Sequence, residues 1–194
     1  LELIVDGVTE SHVIQNSTDE DEKDKTSVYK IDTSGYAEGA KIQWRVKTRG
    51  ILSEYSEWSV QRTIDIYAPP TLALTVTDYA GNTFDNLESL PMHISATAGP
   101  NTQTPISYYV SITSNETYET IDNMGNALTV KQGDEIYSQH FDTSEALSVE
   151  LSANNLSLVN NVGYTINVTV SMNSGLKAKA SDIFTVAWAD DEYW

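Results

Sequence analysis

The stretch Lys41 to Val60 reads KIQWRVKTRGILSEYSEWSV, and it concentrates side chains that could take part in recognition. Arg45, Lys47 and Arg49 stand at alternate positions, and two aromatic residues, Tyr55 and Trp58, follow them. A guanidinium over an indole face is attracted by the ring quadrupole, so Arg45 could lie against Trp58 for about 0.5–1 kcal/mol at an exposed site. At strand periodicity Ile42, Trp44, Val46 and Thr48 face one way, and Gln43, Arg45, Lys47 and Arg49 face the other. Half-solvated sheets alternate in this manner by default. We therefore read the stretch as one edge of a buried core whose basic side faces water.

Other candidates for chemistry are weaker. His12, His93 and His140 are far apart in sequence, and no His-x-His or His-Glu pair offers a metal-ligand spacing. The run STDEDEKDKTS carries Asp19, Glu20, Asp21, Glu22 and Asp24 but has no glycine to bend a calcium loop, which reads as a solvated hairpin tip. Asp190, Asp191 and Glu192 close the chain as an acidic linker, with interdomain calcium the lesser alternative. There is no Gly-x-Ser-x-Gly elbow, phosphate-cradling glycine loop or paired-carboxylate motif on a credible scaffold. No catalytic, cofactor-binding or metal-binding residue is assigned, no cofactor is expected, and the reading is non-enzymatic. Tyr108 and Tyr109 are adjacent, so one points into the core and one outward, where a ring could stack on a sugar. Sequons at Asn16, Asn115, Asn155 and Asn167 would matter only in a eukaryotic secretory setting, and all four are expected to be bare.

Composition narrows the class. With 28 acidic against 11 basic residues the formal net charge is −17, which repels nucleic acid and anionic membranes. Cysteine is absent, so stability must come from apolar burial and strand pairing. No apolar run approaches the ~20 residues that span a bilayer, and membrane insertion is not expected. A length of 194 residues suits two small domains.

Strand signals dominate, and helical periodicity is missing. The first part offers LELIVD, SHVIQ, SVYKID, KIQWRVKTR and WSVQRTIDIY. Pro69-Pro70 then interrupts the ladder-forming pattern and marks a domain boundary with a short, stiff connection. Beyond it, Leu72, Leu74 and Val76 share one side of TLALTVTD, and Leu90, Met92, Ile94 and Ala96 share one side of LPMHISATA. ISYYVSIT, IYSQHFD, ALSVELS, YTINVTVSM and KASDIFTVAW continue the series, and strands at this spacing predict an antiparallel sandwich. An internal repeat links the two parts. Leu158 stands six residues before Tyr164, followed by Ile166, Val168 and Val170; Tyr36 stands six before Ile42, followed by Trp44, Val46 and Thr48.

LSLVNNVGYTINVTVSMNSGLKAKASDIFTVAW resembles the end of a fibronectin type III domain: a leucine, a turn, Tyr-x-apolar-x-apolar, a glycine-bearing hairpin and a last strand. The resemblance puts Tyr164 at the tyrosine corner, its ring inward and its hydroxyl bonded to nearby backbone. Ile42 holds that place in the first domain and has no hydroxyl to offer. YSEWS is similar to the Trp-Ser-x-Trp-Ser box of cytokine receptors, which stacks on strand arginines, with Tyr55 in place of the first Trp. More narrowly, GAKIQWRVKTRG, YSEWS and the closing strands resemble tandem domains of tail, baseplate and tail-fibre proteins of tailed bacteriophages.

The expected fold class is all-β: two tandem antiparallel β-sandwiches of fibronectin type III (immunoglobulin-like) type, the first lacking its first two strands. The expected domains are 1–69, incomplete; 70–188, complete; and 189–194, the start of a linker to a following module. From Leu1 to Gly39 only LELIVD, SHVIQ and SVYKID read as strands, so residues before Leu1 or a neighbouring chain are expected to supply the rest. The resemblance implies a structural spacer of a phage tail, baseplate or tail-fibre protein involved in host attachment, located in the virion. Its partners would be other domains of the same polypeptide and other tail subunits, with a host-surface glycan as a further candidate. The alternative is a carbohydrate-binding or adhesion module at a bacterial cell surface.

Overall fold

Tyr, Ile, Val, Val and Met take every second position of GYTINVTVSM, with Thr, Asn, Thr and Ser between them, and such β-branched alternation fits a pleated surface with one buried side. In the computed structural model this segment is a long strand whose apolar set is sealed from water. The structure describes residues 1–5, 7–13, 29–49, 53–99, 102–121, 124–154 and 156–188. Among these residues the helix and strand elements are all strands, and the protein is all-β. The chain divides into two units, Leu1–Ala68 and Pro69–Trp194, so the division falls at the double proline.

Unit 1 contains β1 (Glu2–Val5), β2 (Val8–Ser11), β3 (Lys41–Arg45) and β4 (Arg62–Asp65) in one antiparallel sheet of order β2-β1-β3-β4. Val5 pairs with Val8, which leaves a two-residue connection in which Gly7 has φ +82, the left-handed conformation that tight hairpins demand. Leu3 and Ile42 are buried on one face of the sheet. The extended segments expected from sequence shrink here. Within WSVQRTIDIY the regular strand covers only Arg62–Asp65. The described part of SVYKID, Tyr29–Asp32, is not a strand, and its Tyr29 hydroxyl bonds His12 Nδ1 at 2.9 Å instead of joining a ladder. The second strand is Val8–Ser11, so of the described part of SHVIQ only Ser11 belongs to it, because the tight turn after Val5 sets its register; residues 14–28, with Ile14, Gln15 and the acidic run, lie outside the described residues.

Unit 2 has two principal sheets and a hairpin. The three-stranded sheet has the order β12-β7-β5, with β5 Thr71–Thr77, β7 Met92–Gly99 and β12 Leu147–Leu151. The five-stranded sheet has the order β11-β8-β13-β14-β6, with β6 Asn86–Leu87, β8 Pro105–Ser114, β11 Glu135–Phe141, β13 Gly163–Met172 and β14 Lys177–Val186. The pair β9 (Tyr118–Ile121) and β10 (Ala127–Val130) is inserted between β8 and β11. The chain changes sheet at β5–β6, β6–β7, β7–β8, β11–β12 and β12–β13, the repeated crossing of an immunoglobulin-like sandwich. Met92, Ile94 and Ala96 from one sheet join Tyr108, Val110, Ile112, Ile166, Val168 and Val170 from the other in a single core. Period-2 alternation sends these neighbours to opposite faces, and Tyr108 lies in the core with Tyr109 outward.

Tyr164 fastens the sandwich end. Its hydroxyl accepts from the Val159 backbone N–H at 3.0 Å and donates to the Tyr118 hydroxyl at 3.2 Å, with the ring stacked on Phe184. Burial, reinforced by the Tyr118 hydrogen bond, pushes its phenol well above the ordinary tyrosine value.

Candidate interaction site

Beyond Arg45, the segment Val46–Arg49 runs beside Ser53–Val60. The two are joined by backbone bonds from Ser59 N to Val46 O at 2.7 Å and from Ser56 N to Thr48 O at 2.8 Å, and by a bridge between Arg49 and Tyr55. The returning amides are satisfied by side chains. Val46 N donates to Ser59 Oγ and Thr48 N donates to Ser56 Oγ, each at 3.0 Å. Two residues of the strand are therefore matched by three of the partner, which a regular ladder cannot do. Because the partner repeats every three residues, Ser56 and Ser59 both face the strand backbone, and Tyr55 and Trp58 fall together on another side.

Those two rings interleave with the cations. Arg45 lies 4.5 Å from the Trp58 ring, Lys47 lies 4.5 Å from both Trp58 and Tyr55, and Arg49 lies 4.8 Å from Tyr55. Directly opposite Arg45 on β1 stands Glu2, whose carboxylate accepts from the guanidinium. A second cross-strand pair, Lys41 with Asp65, lies on the same face at 3.3 Å. The expected alternation is therefore present with the basic side outward, and its cations are interleaved with Tyr55 and Trp58 while Lys41 and Arg49 stay exposed. Sequence reasoning weighed Arg45 on Trp58 and missed Lys47, Arg49 and both serines as parts of one ladder. The readable signal was the three-residue spacing of Ser56 and Ser59 beside a strand with cations at every second position. Each exposed contact is worth about 0.5–1 kcal/mol, and the shared Lys47 makes the total less than the sum. Such a ladder holds a strand edge rigid.

The other sequence candidates do not converge on it. His93 faces Glu150 across the three-stranded sheet at 3.8 Å, and His140 contacts Asp142 at 3.0 Å. Among the described residues no group of three or more His, Asp or Glu side chains could hold a metal ion. Asp19–Asp24 and Asp190–Glu192 lie outside the described residues, as do Asn16 and Asn155. Asn115 Oδ1 accepts from Thr165 Oγ1 at 2.7 Å, and Asn167 points outward.

A second surface follows from the register of the five-stranded sheet. Its outward positions form cross-strand rows: Ser138, Ser111, Asn167 and Ser181; then His140, Tyr109, Thr169 and Lys179; then Ser107, Ser171 and Lys177. Glu135, one row beyond, accepts the Tyr109 hydroxyl at 2.9 and 3.0 Å.

No family model matches the chain, and no curated protein matches it. Among solved structures, similarity is found to the sporulation control protein Spo0M of Bacillus subtilis, with 8% identity and TM-score 0.34 over 63% of this chain and 51% of that one. It is found also to a 1.5-MDa bacterial ice-binding adhesin, with 16% identity and TM-score 0.38 over 97% of this chain and 52% of that one. A third is a cohesin module from a Clostridium perfringens family 33 glycoside hydrolase, with 10% identity and TM-score 0.31 over 62% of this chain and 98% of the module. The chain spans about half the length of the first two. At this level of likeness the assignment to an all-β, sandwich-forming chain rests on its own strand order and core, and each of these proteins is a distant resemblance only.

Proposed function

We propose that this chain is a non-enzymatic spacer segment of a phage tail, baseplate or tail-fibre protein, positioning other domains of a virion protein engaged in host attachment. The observation that carries the reading is repetition. The order β2-β1-β3-β4 of unit 1 is the order β11-β8-β13-β14 of unit 2, taken in the same chain sequence of second, first, third and fourth strand. Two copies of one sheet joined at Pro69-Pro70 are what an array of modules contains, and an array extends a protein without needing a reactive site. The cation–aromatic ladder and the tyrosine corner both stiffen a module and do nothing to a substrate. Its partners under this reading are neighbouring domains of the same polypeptide and other tail subunits. The second reading, an adhesion module at a bacterial cell surface, draws support from the outward Tyr109 and its polar surroundings.

Immunogold labelling with an antibody to this chain separates the two. Gold on the tails of purified virions is the expected result. Gold on uninfected cells, with none on virions, would overturn the virion assignment in favour of the surface module.

A further inference from the structure

The outward face of the five-stranded sheet carries an unusual local composition for this chain. Lys177 and Lys179 are two of the three basic residues that follow Pro70, and both stand on its outward rows. In a chain of net charge −17, the three outward rows next to them hold no carboxylate. The two carboxylates that adjoin these rows both lie on the β11 side, away from the lysines: Glu135 is engaged by the Tyr109 hydroxyl, and Asp142 lies 3.0 Å from His140 Nε2. The row that ends in Lys179 reads His140, Tyr109, Thr169 and Lys179 across four strands, with Tyr109 39% exposed.

We propose that this face binds an acidic polysaccharide, a polymer of uronic-acid type. Three requirements of such a ligand meet here. Its carboxylates need cations, supplied by Lys177 and Lys179 at alternate positions of one strand. Its hydroxyls need paired donors and acceptors, which Asn167 and Thr169 offer on the adjacent strand. The apolar C–H face of a pyranose needs a flat ring, offered by Tyr109. The strands hold these groups in fixed register, so little side-chain ordering is required on binding. A protein partner would call for an apolar centre, which these rows lack, and a nucleic acid would need a broad basic field that the net charge denies. The proposal concerns a ligand and holds whether the chain sits in a virion or at a cell surface.

The test is titration of the full chain with polygalacturonate oligosaccharides, followed by backbone amide NMR, with dextran as the neutral control. Amide shifts confined to β8, β13 and β14 are expected with polygalacturonate and not with dextran. The Lys177→Ala, Lys179→Ala double variant should bind about tenfold more weakly, in line with two exposed ion pairs, while Lys131→Ala binds as the parent does. A dispersed spectrum certifies that each variant is folded. Absence of shifts at millimolar sugar, shifts centred elsewhere, equal binding of dextran, or undiminished binding by the double variant would each overturn the proposal.

Discussion

In unit 2 one face of β11-β8-β13-β14 is met by β12-β7-β5, and Tyr108, Ile112, Ile166, Val168 and Val170 are sealed from water. In unit 1 the equivalent sheet β2-β1-β3-β4 buries Leu3 and Ile42, but Val8 and Ile64, which share their face, stay 64% and 44% exposed. Among the described residues unit 1 has no second sheet. Its bracing lies on the opposite face, in the ladder of Arg45, Trp58, Lys47, Tyr55 and Arg49. The same strand order is thus finished in two ways. One relies on apolar burial, which contributes about 25 cal/mol for each Å² removed from water, and the other on surface contacts worth a fraction of a kcal/mol each.

The comparison breaks most readily at the centre of unit 2. Ile166 is fully buried between the sheets, and Ile166→Ala should cost about 2–5 kcal/mol in chemical denaturation of that unit. A loss below 1 kcal/mol, on the order of an ordinary surface change, would mean that the two units are held together by similar forces after all.

Tyr164→Phe comes next. It leaves the Val159 N–H without its acceptor and should destabilise unit 2 by about 1–3 kcal/mol, whereas Ile42, the residue at the matching place in unit 1, has no such bond to lose. A pH signature accompanies it. The folded-state value of the Tyr164 phenol lies above the ordinary tyrosine value of about 10, so its contribution is fully present below about pH 10 and is lost as pH rises through the folded value. The unit 2 unfolding midpoint should therefore fall above that pH, and fall less steeply in Tyr164→Phe. Some slope should persist, because burial also raises Tyr108 and Tyr137. Identical slopes in parent and variant would remove Tyr164 from the account.

In unit 1, a double-mutant cycle with Arg45→Ala and Trp58→Ala should return a coupling of about 0.5–1 kcal/mol, and Ser59→Ala should cost a similar amount by removing the Val46 acceptor. Zero coupling would reduce the ladder to coincident packing. The smallest effect belongs to Ile64→Ala, expected within about 0.5 kcal/mol because the side chain is already largely hydrated. A loss near that of Ile166→Ala would show that the exposed face of unit 1 is covered in solution.

What the sequence determined was everything that repeats locally. The two-residue period of Tyr164 to Met172 declared a strand and its buried side, Pro69-Pro70 marked the division, and the leucine, turn and tyrosine placed the corner, because each depends on neighbours within a few residues. Other features were settled only by tertiary structure. Whether Tyr108 or Tyr109 faced the core depended on which side of β8 met the second sheet. Whether the basic side of β3 met aromatic rings depended on how the chain returned after Arg49, and at what pitch. SVYKID had the residues of a strand, yet its described part found no ladder to join. Strand propensity measures fit to a half-buried pleated surface, and only the fold decides whether such a surface lies alongside.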